Sequence, residues 1–312
     1  MKDIQSHAPL APGGPDHGVA AFPGCRDCLW GLARTAAQLG ANHDPRVRAD
    51  AEKAGLAALD ASLQGNLSSP EAANIMLRAI KRVTGTPDPY LDIKRREMEL
   101  ARETLTRITP RLGPELLSLL SLAALGNSLD FFRPALDVLP EVEAAAGGNL
   151  AFYRNDAAKL KKFLARPRRT IIYLSDNSGE IFFDLPLFHW LETKAEKVVL
   201  TVKGGPALND LTRDDLVRAG LDNEFKYIED TGVDGAGVDW DNVSPAFRNL
   251  MAKADLIVSK GMANFETLYG RSLPTPVFYI FKVKCTPMRD FLKAPAESFW
   301  ALWRDGTITA AG

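Results

Sequence analysis

A chain of 312 residues, 46% hydrophobic and 25% charged, has the composition of an ordinary globular protein of about two domains. Its formal net charge of -1 supplies no field that would draw it to nucleic acid or an acidic membrane surface, and no apolar run approaches the ~20 residues of a membrane span. Three cysteines, an odd count, argue against a disulfide framework and for a reducing, cytoplasmic setting.

Residues 1–20, "MKDIQSHAPLAPGGPDHGVA", are rich in Pro, Gly and Ala and lack the basic start and apolar centre of a signal peptide. They read as a flexible arm. Residues 21–165 carry a helical pattern and are expected to form an α-helical domain. "CRDC" opens it, with Cys25 and Cys28 at the spacing of a metal-binding or redox pair. A zinc site would want a second pair, and only Cys285 is left. A three-thiolate cluster is one reading; three reduced thiols in a packed interface is the one adopted. "SPEAANIMLRAIKRVTG" predicts a helix capped by Ser69, with Pro70 in its first turn and Gly85 at its end. Ile75, Leu77, Ile80 and Val83 recur along it at helical spacing. "YLDIKRREMELARETLTRI" continues in the same style, and "PELLSLLSLAALGNSLDF" predicts a buried helix. The basic stretch "KLKKFLARPRRT" reads as a solvated helix face and linker.

From residue 166 to 312 the rhythm changes. Short apolar runs, "TIIYL", "KVVLTV", "FKYI", "DLIV" and "VFYIFKV", alternate with segments long enough for crossover helices. Continuously apolar strands separated by helices imply a mostly parallel sheet covered on both faces. The expected fold is α/β: an N-terminal α-helical domain on a Rossmann-like, three-layer α/β/α domain.

In such sheets ligands bind beyond the carboxyl ends of the strands. Asp176 and Asn177 follow the first run, "KGGPALND" with Lys203, Asn209 and Asp210 the second, and "SKGMANFE" with Lys260 and Asn264 the fourth. Asp176 and Asn177 offer a hard anionic oxygen and a neutral one, a combination suited to Mg²⁺ or Mn²⁺, and Asp210 would complete the set. Lys260 would supply a point charge for phosphate, while backbone N–H groups around Ser178 and Gly179 would cradle an anion at the next helix N-terminus. Asp and Asn are also favoured helix caps, so either loop alone has a purely structural reading. Their placement on successive strand ends favours a site.

"SDNSGEIFFDLPL", "VKGGPALNDLTRDDLVRAGL", "ADLIVSKGMANFETL" and "FYIFKVKCTPM" together resemble the damage-control phosphatases of the domain-of-unknown-function family 89. "CRDC", "TGTPDPYLDIK" and "ALGNSLDF" extend the likeness to its prokaryotic branch. The resemblance covers about residues 25–290. It implies a metal-dependent phosphatase acting on small phosphorylated metabolites, using Mn²⁺, Co²⁺, Ni²⁺ or Mg²⁺ held by Asp176, Asn177 and Asp210. It further implies a role for Lys260, substrate contact by Asn264, and a basic residue at Lys282 or Lys284. Gly126, Asn127 and Asp130, with Asp88 and Lys94, would line the cleft or make capping and interdomain contacts. Where the eukaryotic relatives carry a "GDLNYR"-like segment with a contact arginine, this chain reads "GMANFE", with Glu266, which unsettles any sugar-phosphate specificity.

The expected chemistry is hydrolysis of a phosphate monoester by water. An aspartyl-phosphate on Asp176 is disfavoured, since phosphotransferases of that type carry a second Asp two residues on, where this chain has Ser178. The competing readings are an S-adenosylmethionine-dependent carboxyl methyltransferase and a non-catalytic protein that binds a metal and a phosphometabolite. The first wants a glycine-rich loop after the first strand, and the loop has a single glycine. Substrate identity and oligomeric state leave no mark in the sequence.

Overall fold

The apolar runs form the centre of a seven-stranded sheet in the computed structural model, which describes residues 18–129, 135–148 and 150–307. The strands are β1 (Phe152–Asn155), β2 (Arg168–Leu174), β3 (Ala195–Val202), β4 (Ile228–Asp230), β5 (Leu256–Lys260), β6 (Val277–Lys282) and β7 (Phe299–Arg304). They lie in the order β1-β7-β6-β5-β2-β3-β4, and only β6 and β7 pair antiparallel. The fold is therefore the expected α/β architecture. Two strands escape the sequence pattern: β1 alternates half-buried and exposed residues, and β7 mixes Trp with Arg, as befits the outer part of a sheet. β1 brings the sheet into the segment expected to be wholly helical. β4 begins at Ile228, where the predicted strand "FKYI" ends.

Side chains of β2 alternate between two cores. Ile171 and Tyr173 join one apolar cluster, Ile172 and Leu174 the other, which is what a strand buried on both faces requires. On the first face lie α8 (Ile181–Glu192) and α9 (Arg213–Arg218), with α4 (Leu91–Ile108), α5 (Leu116–Gly126) and α6 (Ala135–Ala145) packed beyond them. On the second lie α10 (Pro245–Lys253), α11 (Met262–Leu268) and α12 (Thr286–Leu292). The short α7 (Ala157–Phe163) links β1 to β2.

A separate core joins α1 (Cys25–Gly40), α2 (Pro45–Ser62) and α3 (Ser69–Thr84). Gly55 lets α2 approach α3 closely: a Cβ there would stand 2.7 Å from Ile80 Cδ1. The cap of α3 is Ser68, one residue before the expected Ser69. Glu71 reaches back to complete a capping box only from that register. The helix ends as predicted on Gly85, in the left-handed region at φ +68°.

Of the expected N-terminal arm, residues 1–17 lie outside the described residues. The remainder is not loose: Val19 is buried and its N–H donates to the Glu266 carbonyl at 2.6 Å. No helix among the described residues is long and apolar enough to cross a membrane.

The connections place the site. From β2 the chain crosses to β3 and β4 in one direction; from β5 it crosses to β6 in the other. The reversal opens a crevice between the carboxyl ends of β2 and β5, the position where doubly wound sheets bind ligands. Leu174 pairs with both Thr201 of β3 and Ser259 of β5, so the three strands run out at one level.

Candidate active site

Asp176 enters the crevice directly beyond β2. Its carboxylate rests on Gly261, the first residue after β5, which holds φ +79°. A Cβ on Gly261 would stand 1.8 Å from Asp176 Oδ2, so both the backbone conformation and the space require glycine. The loop after β3 then turns through Leu208, a non-glycine residue at φ +51°, and delivers Asn209 and Asp210 alongside. Backbone bonds lock the two loops together. Leu211 N–H donates to the Asp176 carbonyl at 2.9 Å, Ser178 N–H to the Asn209 carbonyl at 2.8 Å, and Asn177 bridges to Asp210. Asp176, Asn177 and Asp210 are thereby brought to one wall of one cavity.

The amide of Asn177 is oriented by its donors. Its Nδ2 donates to the Leu129 carbonyl and to Glu180 Oε1, both at 2.9 Å, which leaves Oδ1 for the cavity. Asn127 works from the opposite side. Its Nδ2 donates to Asp176 Oδ2 at 3.2 Å and to Glu180 Oε1 at 2.8 Å, while its Oδ1 accepts the Lys282 N–H at 2.9 Å. Glu180, fully buried, is thus the common acceptor that sets both amides.

Two buried lysines sit within this cluster. Lys260 Nζ donates to Glu180 Oε2 at 3.0 Å and to Asp184 Oδ1 at 2.5 Å. Burial works against its ammonium, but Asp184 and Glu180 outweigh it and its pKa rises. Lys203 Nζ donates to the Gly237 carbonyl at 2.6 Å and to Asn264 Oδ1 at 3.1 Å. It also lies 3.4 Å from Asp210 Oδ2, without hydrogen-bond geometry. Burial pushes the Asp184 and Asp210 carboxyls up to about 6, against the pull of Lys260 and Lys203 respectively. Asp176 goes well above the usual carboxylate range: burial leads, Glu180 and Asp210 add to it, and Lys284 and Lys203 only partly offset them.

The donor set fits a hard divalent cation. Two carboxylates and one amide line one cavity, the carboxylates outnumber the paired lysines, and Asp210 Oδ2 is buried without a hydrogen bond. Asp176 has no ion-pair partner among the described residues.

The cavity beside this wall encloses about 380 Å³. Ser128, Lys282 and Lys284 also line it, and α1, α3, α11 and α12 close it with mostly apolar side chains. Lys282 Nζ is ion-paired with Glu297. Of these two lysines, Lys284 is the one whose charge acts on Asp176.

Several expectations need correcting. Ser178 is fully buried, with its N–H used by Asn209 and its Oγ donating to the Asp210 carbonyl at 3.3 Å, so it ties the loops and cradles no anion. Gly179 packs against Glu97 and Leu129. Lys260 is fully buried between two carboxylates and does not reach the cavity. Asn264 is likewise fully buried; its Nδ2 donates to the Ser175 and Lys260 carbonyls at 2.9 and 2.7 Å, bracing the ends of β2 and β5. Asn127 orients Asp176 from behind the cavity wall rather than lining it. Gly126 packs on Phe183, and Lys94 pairs with Asp88 at 2.6 Å and Asp215 at 2.8 Å, joining the helical half to α9. Asp130 lies outside the described residues.

Lys203, Glu180, Ser128 and Glu266 were not singled out as site residues. Lys203 had a signal, since it stands at the end of β3 just as Lys260 stands at the end of β5. The thiols of Cys25, Cys28 and Cys285 are free and face the cavity. Burial raises all three, Cys285 to about 12, so they stay protonated. No cluster of three or more His, Cys, Asp or Glu side chains arranged to hold a metal occurs among the described residues.

Residues 21–298 match the family model for the damage-control phosphatase ARMT1-like domain. A damage-control phosphatase of Pyrococcus horikoshii is 34% identical over 228 residues, which span 72% of this chain and 77% of that protein. A damage-control phosphatase of Archaeoglobus fulgidus is 28% identical over 85% of this chain and 93% of its own length. The crystal structure of the Pyrococcus horikoshii protein, described as a member of the domain-of-unknown-function 89 family, superposes with a TM-score of 0.80. That match has 28% identity and covers 91% of this chain and 98% of that one.

Proposed function

Because the chain belongs to the damage-control phosphatase ARMT1-like domain family, we propose that it hydrolyses phosphate monoesters of small metabolites, with Mn²⁺, Co²⁺, Ni²⁺ or Mg²⁺ held by Asp176, Asn177 and Asp210. The observation that carries the reading is that those three side chains line one cavity at the switch point of the sheet, with Asp176 in no ion pair among the described residues. A divalent ion bound there supplies positive charge to a phosphoryl oxygen and acidifies a water.

The protein's own contribution is placement. Glu180 and Asn127 hold Asp176 and Asn177 in one orientation: Glu180 Oε1 accepts from both amides while Lys260 donates to its other oxygen. Lys203 holds Asp210. Lys284 stands at the cavity to balance charge on the transferring phosphoryl group, the electrostatic term that dominates such reactions. The apolar remainder of the cavity limits water and strengthens each of these interactions. Three unpaired thiols support a reducing, cytoplasmic setting.

The test is a screen of phosphorylated metabolites with each metal, measuring phosphate release, with Asp210→Ala as control. Release that requires a metal and falls by roughly 100-fold or more in the variant is expected. Equal activity in Asp210→Ala removes Asp210 from the mechanism, and no release from any ester with any metal removes the proposed activity.

A further inference from the structure

Most of the buried carboxylates among the described residues come with cations. Asp210, Glu180, Asp184, Asp215 and Asp239 each lie within ion-pair distance of a lysine or arginine. Asp176 is one exception, and the proposed metal accounts for it. Glu266, on α11, is another, and nothing in the metal site accounts for it.

Glu266 is only 5% exposed and lines the same cavity. Among the described residues its carboxylate receives one hydrogen bond, from Ser69 Oγ of α3 at 2.7 Å, and has no Lys, Arg or His within ion-pair distance. It does not belong to the metal cluster. The groups that act on Asp176 and Asp210 do not include it, whereas its charge is felt by Cys25, Cys28 and Cys285. Leu29, Pro70, Ala73 and Met262 line the same cavity, whose exposed lining is mostly apolar. Burial raises the carboxyl to about 7, so near neutrality a modest favourable interaction is enough to ionise it. A carboxylate placed in such a pocket with one acceptor oxygen unused costs free energy that a cationic ligand group would recover.

Building on the phosphatase reading, we infer that the preferred substrate is a phosphate monoester whose alcohol portion is an apolar body ending in an ammonium or similar cationic group, with Glu266 as its anchor. The phosphate meets the metal wall and Lys284, the apolar body fills the cavity, and the positive end pairs with Glu266. Specificity is thus read from two charges of opposite sign separated by an apolar spacer, which excludes neutral sugar phosphates by leaving Glu266 unpaired.

The probes are aminoalkyl phosphates from aminoethyl to aminooctyl. Each is compared with the alkyl phosphate one carbon longer, in which methyl replaces ammonium, and with the matching hydroxyalkyl phosphate. Binding to the full chain is measured by calorimetry with and without Mn²⁺, and phosphate release is measured separately. Wild-type protein should bind at least one aminoalkyl ester about tenfold more tightly than both neutral partners, and Glu266→Gln, which keeps the shape and the Ser69 contact, should reduce the ratio to about twofold or less. Glu266→Leu provides an independent check by turning the preference toward the alkyl ester.

No preference for the amine at any length, or a preference unchanged in Glu266→Gln, overturns the inference. So does stronger binding of the hydroxyalkyl ester, which would make a neutral Glu266 the recognising form. Hydrolysis without amine preference defeats this inference alone. Amine preference in binding, with no hydrolysis under any metal, defeats the phosphatase reading and leaves the Glu266 anchor standing.

Discussion

The carboxylate of Asp176 occupies the space where a side chain on Gly261 would be, at 1.8 Å from the position of its Cβ. The residue ending one strand loop therefore dictates the identity of the residue opening another, 85 positions later in the chain. Gly261→Ala should displace Asp176 and strain a backbone held at φ +79°, at a stability cost of about 1–3 kcal/mol. Metal affinity should fall further than that loss of stability explains. Titration of Mn²⁺ alongside a denaturant melt separates the two; wild-type affinity in a folded variant would show that the contact is incidental.

Lys260 supports the site from below rather than meeting the ester. Lys260→Met leaves Glu180 and Asp184 buried without their cation and should cost about 3–5 kcal/mol. Adding Asp184→Asn removes one of the stranded charges and should restore part of that stability, a coupling readable from a double-mutant cycle. Additive losses would contradict a shared network.

Lys284 and Lys282 should separate kinetically. Lys284→Met is expected to lower kcat/KM by roughly 100-fold, because its charge reaches the reacting end of the cavity. Lys282→Met, which breaks the pair with Glu297, should cost about tenfold or less. The reverse order would exchange their roles.

The metal-free protein should gain stability on mild acidification. Asp184 and Asp210 have folded pKa values of about 6, raised above the ordinary carboxylate value of 3.8. Between those limits the folded state binds more protons than the unfolded chain, so stability falls as pH rises through the window, and Asp176 and Glu266, raised further, extend the fall above it. Asp234, shifted downward, acts with the opposite sign at and below its ordinary value, outside most of that window. Mn²⁺ should remove the share that belongs to Asp210, since binding demands a deprotonated ligand, and leave that of Asp184. Thermal melts from about pH 4.5 to about pH 7.5, with and without metal, test both.

Hydrolysis in a single turnover with heavy-oxygen water should place the label in inorganic phosphate. Label in the carboxylate of Asp176 would mean that it attacks phosphorus itself.

The sequence alone carried the architecture and the ends of the strands. Short apolar runs such as Ile171–Leu174, alternating with helix-length segments, read as strands covered on both faces, and the polar residues that stop them gather at one edge of a parallel sheet. Asp176, Asn177 and Asp210 were legible for that reason, and because they occur in several ordered motifs. Edge strands such as β1 were not, since a partly solvated strand need not be apolar.

What side chains do beyond a strand end was decided in three dimensions. Lys203, Lys260 and Lys284 each lie at or just beyond a strand end, yet one braces Asp210, one is buried with Glu180 and Asp184, and one faces the cavity. Asn264, which looks like a ligand contact, ties β2 to β5 instead. Direction depends on partners brought close only by folding: Glu180 lies 80 residues from Lys260, and Ser69 lies 197 from Glu266. Periodicity along a chain records which faces are buried, but it holds no information about which charges meet once they are.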